Sequence, residues 1–550
     1  MKSASVILGT VLFLNSMLTA AFGADSPAVL GGDSAAAHYN GLLIDSLEID
    51  NRNIYDTGDR AYDRFWFRLA NKLHIKTRRH VIERELLLKK GQQYNHRLAE
   101  ETARNIRNSL VVYDAWTEVE MLPGGGVLLR VVTVDQWSLT GGFSYGREGN
   151  ETRYQIGFDE KNFLGNNQLV SFYFFGQSDD EDFIEAAFFD NRFLGRRYRL
   201  QLSFSTNPVS EIESIELTRP YYDREQAYAY GVAVTNFSGR RDVYSDSLKI
   251  GESFFDGDVA RTFAAYRFGD PQRKVTLELD YKYRYERTTD IRVLSAAAGD
   301  SALVTASLAE DSLYHEVEVS AGYADYEFIK LSQIEGFGYT EDFTLGYSLA
   351  VAYSRAFEPS FGDHVFDKAY LQLLRYIGSS RHLLLLDYRH VWWFRGSIAI
   401  RHSAVLSGRY YARFKPYLTL AMRGLYESDW NRTDREGVWL GGTTGVRGYD
   451  KYFRTGDRKV VGNVEARFYP DIRFMSAIFG GVVFADWGTI WKKEEPVTLG
   501  HTYLAAGFGL RIAFEKSTRN VVRIDLAYSE MNRWQLSIGT DQYFKAWIFE

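Results

Sequence analysis

Gly441-Gly442-Thr443-Thr444-Gly445-Val446-Arg447-Gly448-Tyr449 sets one arginine among glycines, inside a long polar segment from Glu427 to Arg458. Glycine lets the backbone turn where a Cβ would clash, so the stretch reads as a loop built to present Arg447. A guanidinium presented in this way calls for a carboxylate, whose two oxygens match its planar fork. The alternative on these residues alone is an ordinary glycine-rich surface loop with a solvated arginine. The sequence around the loop decides between the two.

From Trp137 onward, runs of apolar residues alternate with polar or small ones, and glycine-rich or polar segments separate the runs. Leu169–Phe175, Ala227–Phe237, Val275–Tyr285, Phe343–Tyr353, Val460–Phe468 and Tyr503–Phe514 are examples. Period-two alternation predicts strands with one drier and one wetter face. A long series of such strands makes either stacked sandwiches or one large barrel. Tyrosine and phenylalanine number 37 each against 9 prolines, which suits the aromatic girdles of a transmembrane barrel. A sheet in lipid must also close on itself, because an open edge leaves backbone groups unpaired. Asn162-Phe163-Leu164-Gly165 and Arg192-Phe193-Leu194-Gly195 recur as turns, each followed by a strand, and Arg219-Pro220-Tyr221-Tyr222 follows at a similar step. Thr288 to Asp311 is Ala/Ser-rich and reads as an external loop.

The 550-residue chain has a net charge of −6 and no cysteine. No nucleic-acid footprint shows, and disulfides and thiolate metal sites are excluded. Lys2, the apolar run Val6–Leu14 and the small residues Ala21-Phe22-Gly23 read as a signal peptide over 1–23, followed by a flexible leader over 24–40. No later stretch approaches the length of an apolar helical span.

Residues 41–136 have a different texture. Leu42–Ile49 alternates like a strand, and Asp50–Thr77 is irregular around Phe65-Trp66-Phe67. Arg78–Lys89 and Arg97–Leu110 carry helical spacing. Ala115–Met121 and Val127–Val134 form a strand pair around Pro123-Gly124-Gly125-Gly126. This small α+β module resembles a POTRA domain, the periplasmic module of outer-membrane assembly and secretion pores, best over Val81–Val134.

Two acids accompany the arginine loop: Asp486 in Val482-Val483-Phe484-Ala485-Asp486-Trp487-Gly488, and Glu465 in Gly462-Asn463-Val464-Glu465. Their order after Val446-Arg447-Gly448-Tyr449, the preceding module and the final strand pattern Arg533–Thr540 together resemble the outer-membrane superfamily of BamA, TamA and the two-partner-secretion transporters. The resemblance implies a transmembrane antiparallel β-barrel over 137–550 after one POTRA-like domain, with the loop 427–458 folded back into the lumen. It maps Arg447 to the loop arginine and Asp486 to its barrel-wall partner, with Glu465 as a second candidate. It makes Trp534, Leu536, Ile538 and Gly539 part of the closing strand. The family barrel has sixteen strands, whereas the runs here allow up to twenty. The surplus near Val259–Tyr285 and Leu383–Leu406 is either long loop hairpins or a wider barrel. The family chain stops at the closing strand, and here Asp541–Glu550 runs on as a longer strand or a tail.

Gly142-Phe143-Ser144-Tyr145-Gly146 matches a serine-hydrolase pattern, but that motif needs a strand, sharp turn and helix, and here it opens the barrel pattern. The ten histidines form no H-E-x-x-H pair. The expectation is a non-enzymatic outer-membrane insertase or translocase without cofactor or metal. Its partners would be the outer-membrane bilayer, unfolded client polypeptides and periplasmic chaperones or accessory lipoproteins, and no nucleic acid. A dedicated two-partner-type secretion pore for one client and a passive outer-membrane channel are the alternatives.

Overall fold

The computed structural model describes residues 34–544 except 149–150, 179–180, 246–247, 295–310, 338, 360–362, 432–437, 443–444, 451–452, 475, 494, 497, 499–501, 515, 517–520 and 541. The expected signal peptide over 1–23, residues 24–33 of the expected leader, most of the expected Thr288–Asp311 loop and the end of the chain from 545 lie outside the described residues.

Six short strands open the large sheet: β4 (Leu139–Glu148), β5 (Glu151–Glu160), β6 (Gln168–Gln177), β7 (Phe183–Asp190), β8 (Arg199–Asn207) and β9 (Ser210–Arg219). Nine further strands come after them: β10 (Tyr228–Ser245), β11 (Leu248–Phe268), β12 (Arg273–Val293), β13 (Ser312–Leu331), β14 (Glu341–Phe357), β15 (His364–Gly378), β16 (His382–Arg395), β17 (Ile398–Lys415) and β18 (Leu418–Trp430). A small ribbon, β19 (Val438–Leu440) with β20 (Arg454–Gly456), interrupts the series. The last five are β21 (Arg458–Phe474), β22 (Ala477–Trp491), β23 (Tyr503–Phe514), β24 (Val521–Ser529) and β25 (Arg533–Thr540).

Without the ribbon, these twenty strands close into one antiparallel barrel in which β25 neighbours β4. The count falls at the top of the expected range. The surplus runs are wall strands, β11 with β12 and β16 with β17, and the barrel is wider than sixteen strands. Alternation separates the two faces. On β23, Leu504, Phe508, Leu510 and Phe514 are exposed, while Ala505, Arg511 and Ala513 are buried. An apolar outer face and a polar inner one is the transmembrane arrangement. No described helix is long and apolar enough to cross a membrane.

The α+β domain has a three-stranded sheet of β1 (Ile44–Arg52), β2 (Val112–Met121) and β3 (Val127–Asp135) in the order β1-β3-β2, with β1 parallel to β3. Its helices are α1 (Ser34–Ala37), α2 (Phe65–Leu73), α3 (Arg79–Glu83) and α4 (His96–Ser109). Helix α4 starts where the Asn95 side chain accepts from Leu98 N. Its buried Ile106 packs with Val81, Ile82, Val112, Ala115 and Val131. The irregular insert condenses around Phe67 of α2, Ile54 and Tyr55.

Two sequence expectations need correction. The helix predicted over Arg78–Lys89 ends at Glu83, because residues 85–88 are drawn to partners elsewhere. Glu85 pairs with Arg192 of a barrel turn, Leu87 N donates to Thr102 Oγ1, and Leu88 enters a second apolar cluster with Ile44 and Tyr94. The external loop predicted from Thr288 begins later, since β12 continues to Val293 against β11.

The domain sits on the near end of the barrel, where the β4 chain enters. Asn162 donates to Ile75 O and Thr77 Oγ1 from the β5–β6 turn. Asn105 of α4 donates to Tyr222 O in the β9–β10 turn. Arg107 of α4 makes a buried bidentate bond to Asp342 of β14, both contacts at 2.7 Å. Burial alone would lower the Arg107 pKa, but the bond to Asp342 together with the nearby charges of Asp114 and Glu100 outweighs it and leaves the value raised. In the linker, Trp137 N donates to Lys516 O at the β23–β24 turn.

Candidate functional site

The polar segment between β18 and β21 is shorter than the predicted 427–458, because β18 runs on to Trp430 and β21 starts at Arg458. The β19–β20 ribbon carries the glycine-rich tip between its two strands, and Lys459 Nζ holds the ribbon through Trp439 O. Val446 N donates to Gly441 O and Gly442 N to Tyr449 O, which folds the tip on itself. Thr443 and Thr444 lie outside the described residues.

Cross-strand register puts Glu465, Asp486, Asp525 and the tip on one face. Asn463 of β21 lies opposite Asp486 of β22, Asp486 opposite Ala505 of β23, and Gly509 of β23 opposite Asp525 of β24. The outer face at the same level carries Val483, Phe508 and Leu526. Gly448 takes φ +88° and rests near Ala505, Ala527 and Ser529. Gly488 faces the tip, and a Cβ there would stand 2.7 Å from Val446 Cγ2. The small wall residues therefore let the loop backbone approach the sheet.

Arg447 is fully buried there. Its Nε donates to Asp486 Oδ2 at 2.7 Å and its Nη2 to Asp486 Oδ1 at 2.8 Å, the two-pronged bond of a guanidinium to a carboxylate. Its own backbone N adds a third bond to Asp486, at 3.1 Å. Nη1 reaches Glu465 Oε1 at 2.6 Å and Asp525 Oδ2 at 3.3 Å. All four side chains are at most 1% exposed. The ring of Phe484 stacks on the guanidinium at 3.5 Å and that of Tyr543 at 4.1 Å.

Further arginines neutralise the acids. Arg467 Nε bonds Glu465 Oε2 at 2.9 Å. Arg511 Nη1 bonds Asp525 Oδ1 at 2.5 Å, and Arg523 Nη1 bonds Asp525 Oδ2 at 3.2 Å. Asn463 Nδ2 bridges Gly445 O and Asp486 Oδ1. Removing ions from water is costly, and such a cluster persists only when each charge is paired and its remaining bonds are made. The arrangement fixes a loop inside a barrel.

The structure thus brings Val446, Arg447, Gly448, Glu465, Asp486 and Gly488 together, with Tyr449 donating to Leu504 O at the rim of the group. Trp534, Leu536 and Ile538 of β25 lie apart from it, exposed on the outer face, and Gly539 lies opposite Arg523. Ser144 sits in β4 opposite Gln155, with a strand and not a helix after it. Sequence reasoning missed Asp525, Arg511 and Arg523. Their signal is charge at inward positions of strands whose alternate residues are apolar. It also missed Tyr543, for which no local signal exists. Beyond β25, Gln542–Phe544 turn inward. Tyr543 OH donates to Gly442 O at 2.8 Å, and Arg467 Nη2 donates to Phe544 O at 3.0 Å.

No family model matches the chain, and no curated protein matches it by sequence. Among solved structures, it is similar to CdiB from Acinetobacter baumannii at 13% identity and TM-score 0.42, over 92% of this chain and 74% of that one. CdiB from Escherichia coli gives 11% and 0.42, over 90% and 75%. BamA from Haemophilus ducreyi lacking POTRA domains 1–3 gives 11% and 0.39, over 90% and 83%. With TM-scores below 0.5, the fold is read from the topology itself and not from these likenesses.

Proposed function

We propose that this chain is a non-enzymatic outer-membrane insertase or translocase of the BamA, TamA and two-partner-secretion superfamily, with polypeptides as its clients. Residues 41–136 act as a POTRA-like periplasmic domain and 137–550 as the barrel. The observation that carries the reading is the glycine-rich tip pinned inside the lumen by buried Arg447 on Asp486, Glu465 and Asp525. A passive channel has no need of a loop so expensively anchored. The domain accepts incoming chain by main-chain pairing at a sheet edge, a mode that needs little sequence specificity. The barrel then exports the client or releases it sideways at the β25–β4 junction.

Conditional depletion followed by quantitative proteomics of the outer membrane and the culture medium tests this. Loss of many barrels from the membrane is the result expected of a general insertase. Loss of one or two proteins from the surface or medium assigns a dedicated secretion pore. Unchanged proteomes with reduced small-solute permeability would replace the translocase with a passive channel.

A further inference from the structure

The inner wall of a transmembrane barrel is ordinarily polar, yet one part of this one is not. Tyr376 of β15 lies opposite Leu385 of β16, Leu383 opposite Tyr411 of β17, Tyr411 opposite Ala421 of β18, and Ala421 opposite Glu465. Register therefore puts these apolar side chains on the same face as the buried acid. Leu374, Tyr376, Leu383, Leu385, Tyr411 and Ala421 are all buried in one cluster, and Phe544 is a member of it.

The occupant is held by its main chain and by both neighbours. Arg467 Nη2 donates to Phe544 O. Arg511 Nε donates to Gln542 Oε1 at 2.9 Å, and Gln542 Nε2 donates to Glu335 O at 3.1 Å and to Tyr469 OH at 3.3 Å. The Tyr543 ring covers one face of Arg447. These contacts ask for a polar side chain, an exposed main-chain carbonyl and two adjacent aromatic rings, and nothing in them requires that the segment belong to this chain.

A second observation adds a charge requirement. Arg409 and Arg423 face each other across β17 and β18 on this same wall, two residues along from Tyr411 and Ala421. The Nε of each is buried without a hydrogen-bond partner among the described residues. A buried guanidinium left short of acceptors favours an anion.

We propose that the cleft filled by Gln542–Phe544 is a polypeptide-binding subsite. It takes a short segment with a polar residue, two neighbouring aromatic rings and an acidic group, and the chain's own segment is the resident occupant. A client segment of the same chemistry displaces it and uncovers Arg447. The inference rests on the reading that polypeptides enter this lumen.

The test uses the full-length protein in detergent and a fluorescein-labelled peptide Asp-Gln-Tyr-Phe-Lys, read by fluorescence anisotropy. In the variant carrying Tyr543→Ala and Phe544→Ala the aromatic part of the cleft is vacated, and the peptide binds at least about tenfold more tightly than to the unaltered protein, because the resident is left only its Gln542 and main-chain bonds and competes weakly. Replacing the peptide's Asp by Asn weakens binding, as does Arg409→Gln with Arg423→Gln in the vacated protein. A peptide Asp-Gln-Ala-Ala-Lys does not bind. If the double variant does not fold, Phe544→Ala alone vacates the apolar part and is expected to show the same order of affinities. Equal binding to vacated and unaltered protein, or equal binding of the Ala-Ala peptide, would overturn the proposal. Depletion proteomics is independent of this assay. Peptide binding without any change in exported or membrane proteins keeps the subsite and removes the translocase, and the converse keeps the translocase and removes the subsite.

Discussion

On the inner face of β21–β24, Glu465, Asp486 and Asp525 are sealed from water and share four arginines. On the inner face of β11–β13 the acids are also largely buried, the side chains of Asp280 and Glu316 being 11% and 5% exposed, but their cationic partners reach solvent. Arg261 bonds Asp280 at 2.5 Å with its side chain 52% exposed, and Lys282 lies 3.4 Å from Glu316 with its side chain 27% exposed. What differs is the cover. Loop residues 445–450 and Gln542–Phe544 lie over β21–β24, while β11 and β12 are strands of 21 residues each with no such covering segment among the described residues. A wet ion pair contributes little. A dry one contributes through the penalty of breaking it. The two walls therefore use similar chemistry for unequal mechanical ends.

The largest effect is expected at the dry wall. Arg447→Ala leaves three buried carboxylates short of a partner and should cost about 3–5 kcal/mol. The barrel still folds, and its heat-resistant band in gels is lost at a lower temperature. An unchanged melting profile would sink the claim that the loop is anchored there. Asp525→Asn keeps the shape and one acceptor oxygen but removes the charge seen by Arg511, Arg523 and Arg447. A loss of about 1.5–3 kcal/mol is expected, read from the urea midpoint in detergent.

The wet wall should answer weakly. Arg261→Ala is expected to change stability by no more than about 1 kcal/mol in the same urea titration. The smallest effect separates the walls by solvent alone. Raising salt to about 1 M shortens the screening length to about 3 Å. That should erase the Arg261→Ala difference and leave the Arg447→Ala difference in place. If both differences shrank together, the lumen around Arg447 would be as wet as that around Arg261.

The barrel was legible because outer residues such as Leu504, Phe508 and Leu510 alternate with small or charged ones, and period two survives any strand length. The strand count was less legible. In β16, Leu383–Leu386 is apolar on both faces, since its inner residues join the cluster under Phe544, and this blurs the alternation. The loop arginine and two of its acids stood out by glycine context and order along the chain. The other members did not. Asp525 and Arg511 meet across strands, and Phe544 meets Arg467 from 77 positions away. Local patterns carry no record of such pairings. Helix α3 was overestimated for a related reason, because Glu85 answers to Arg192, far along the chain.

The inward turn of Gln542–Phe544 also bears on time. Arg467 is bonded to Ile334, 133 positions earlier, and to Phe544, 77 positions later. Closing such long loops is slow and depends on the distant segments arriving. The interior can reach its final arrangement only after β25 is in place and the chain beyond it has doubled back. Completion of the core is thus a report that the last strand has been delivered, and a barrel that lacks it is left with an arginine still waiting for its carbonyl.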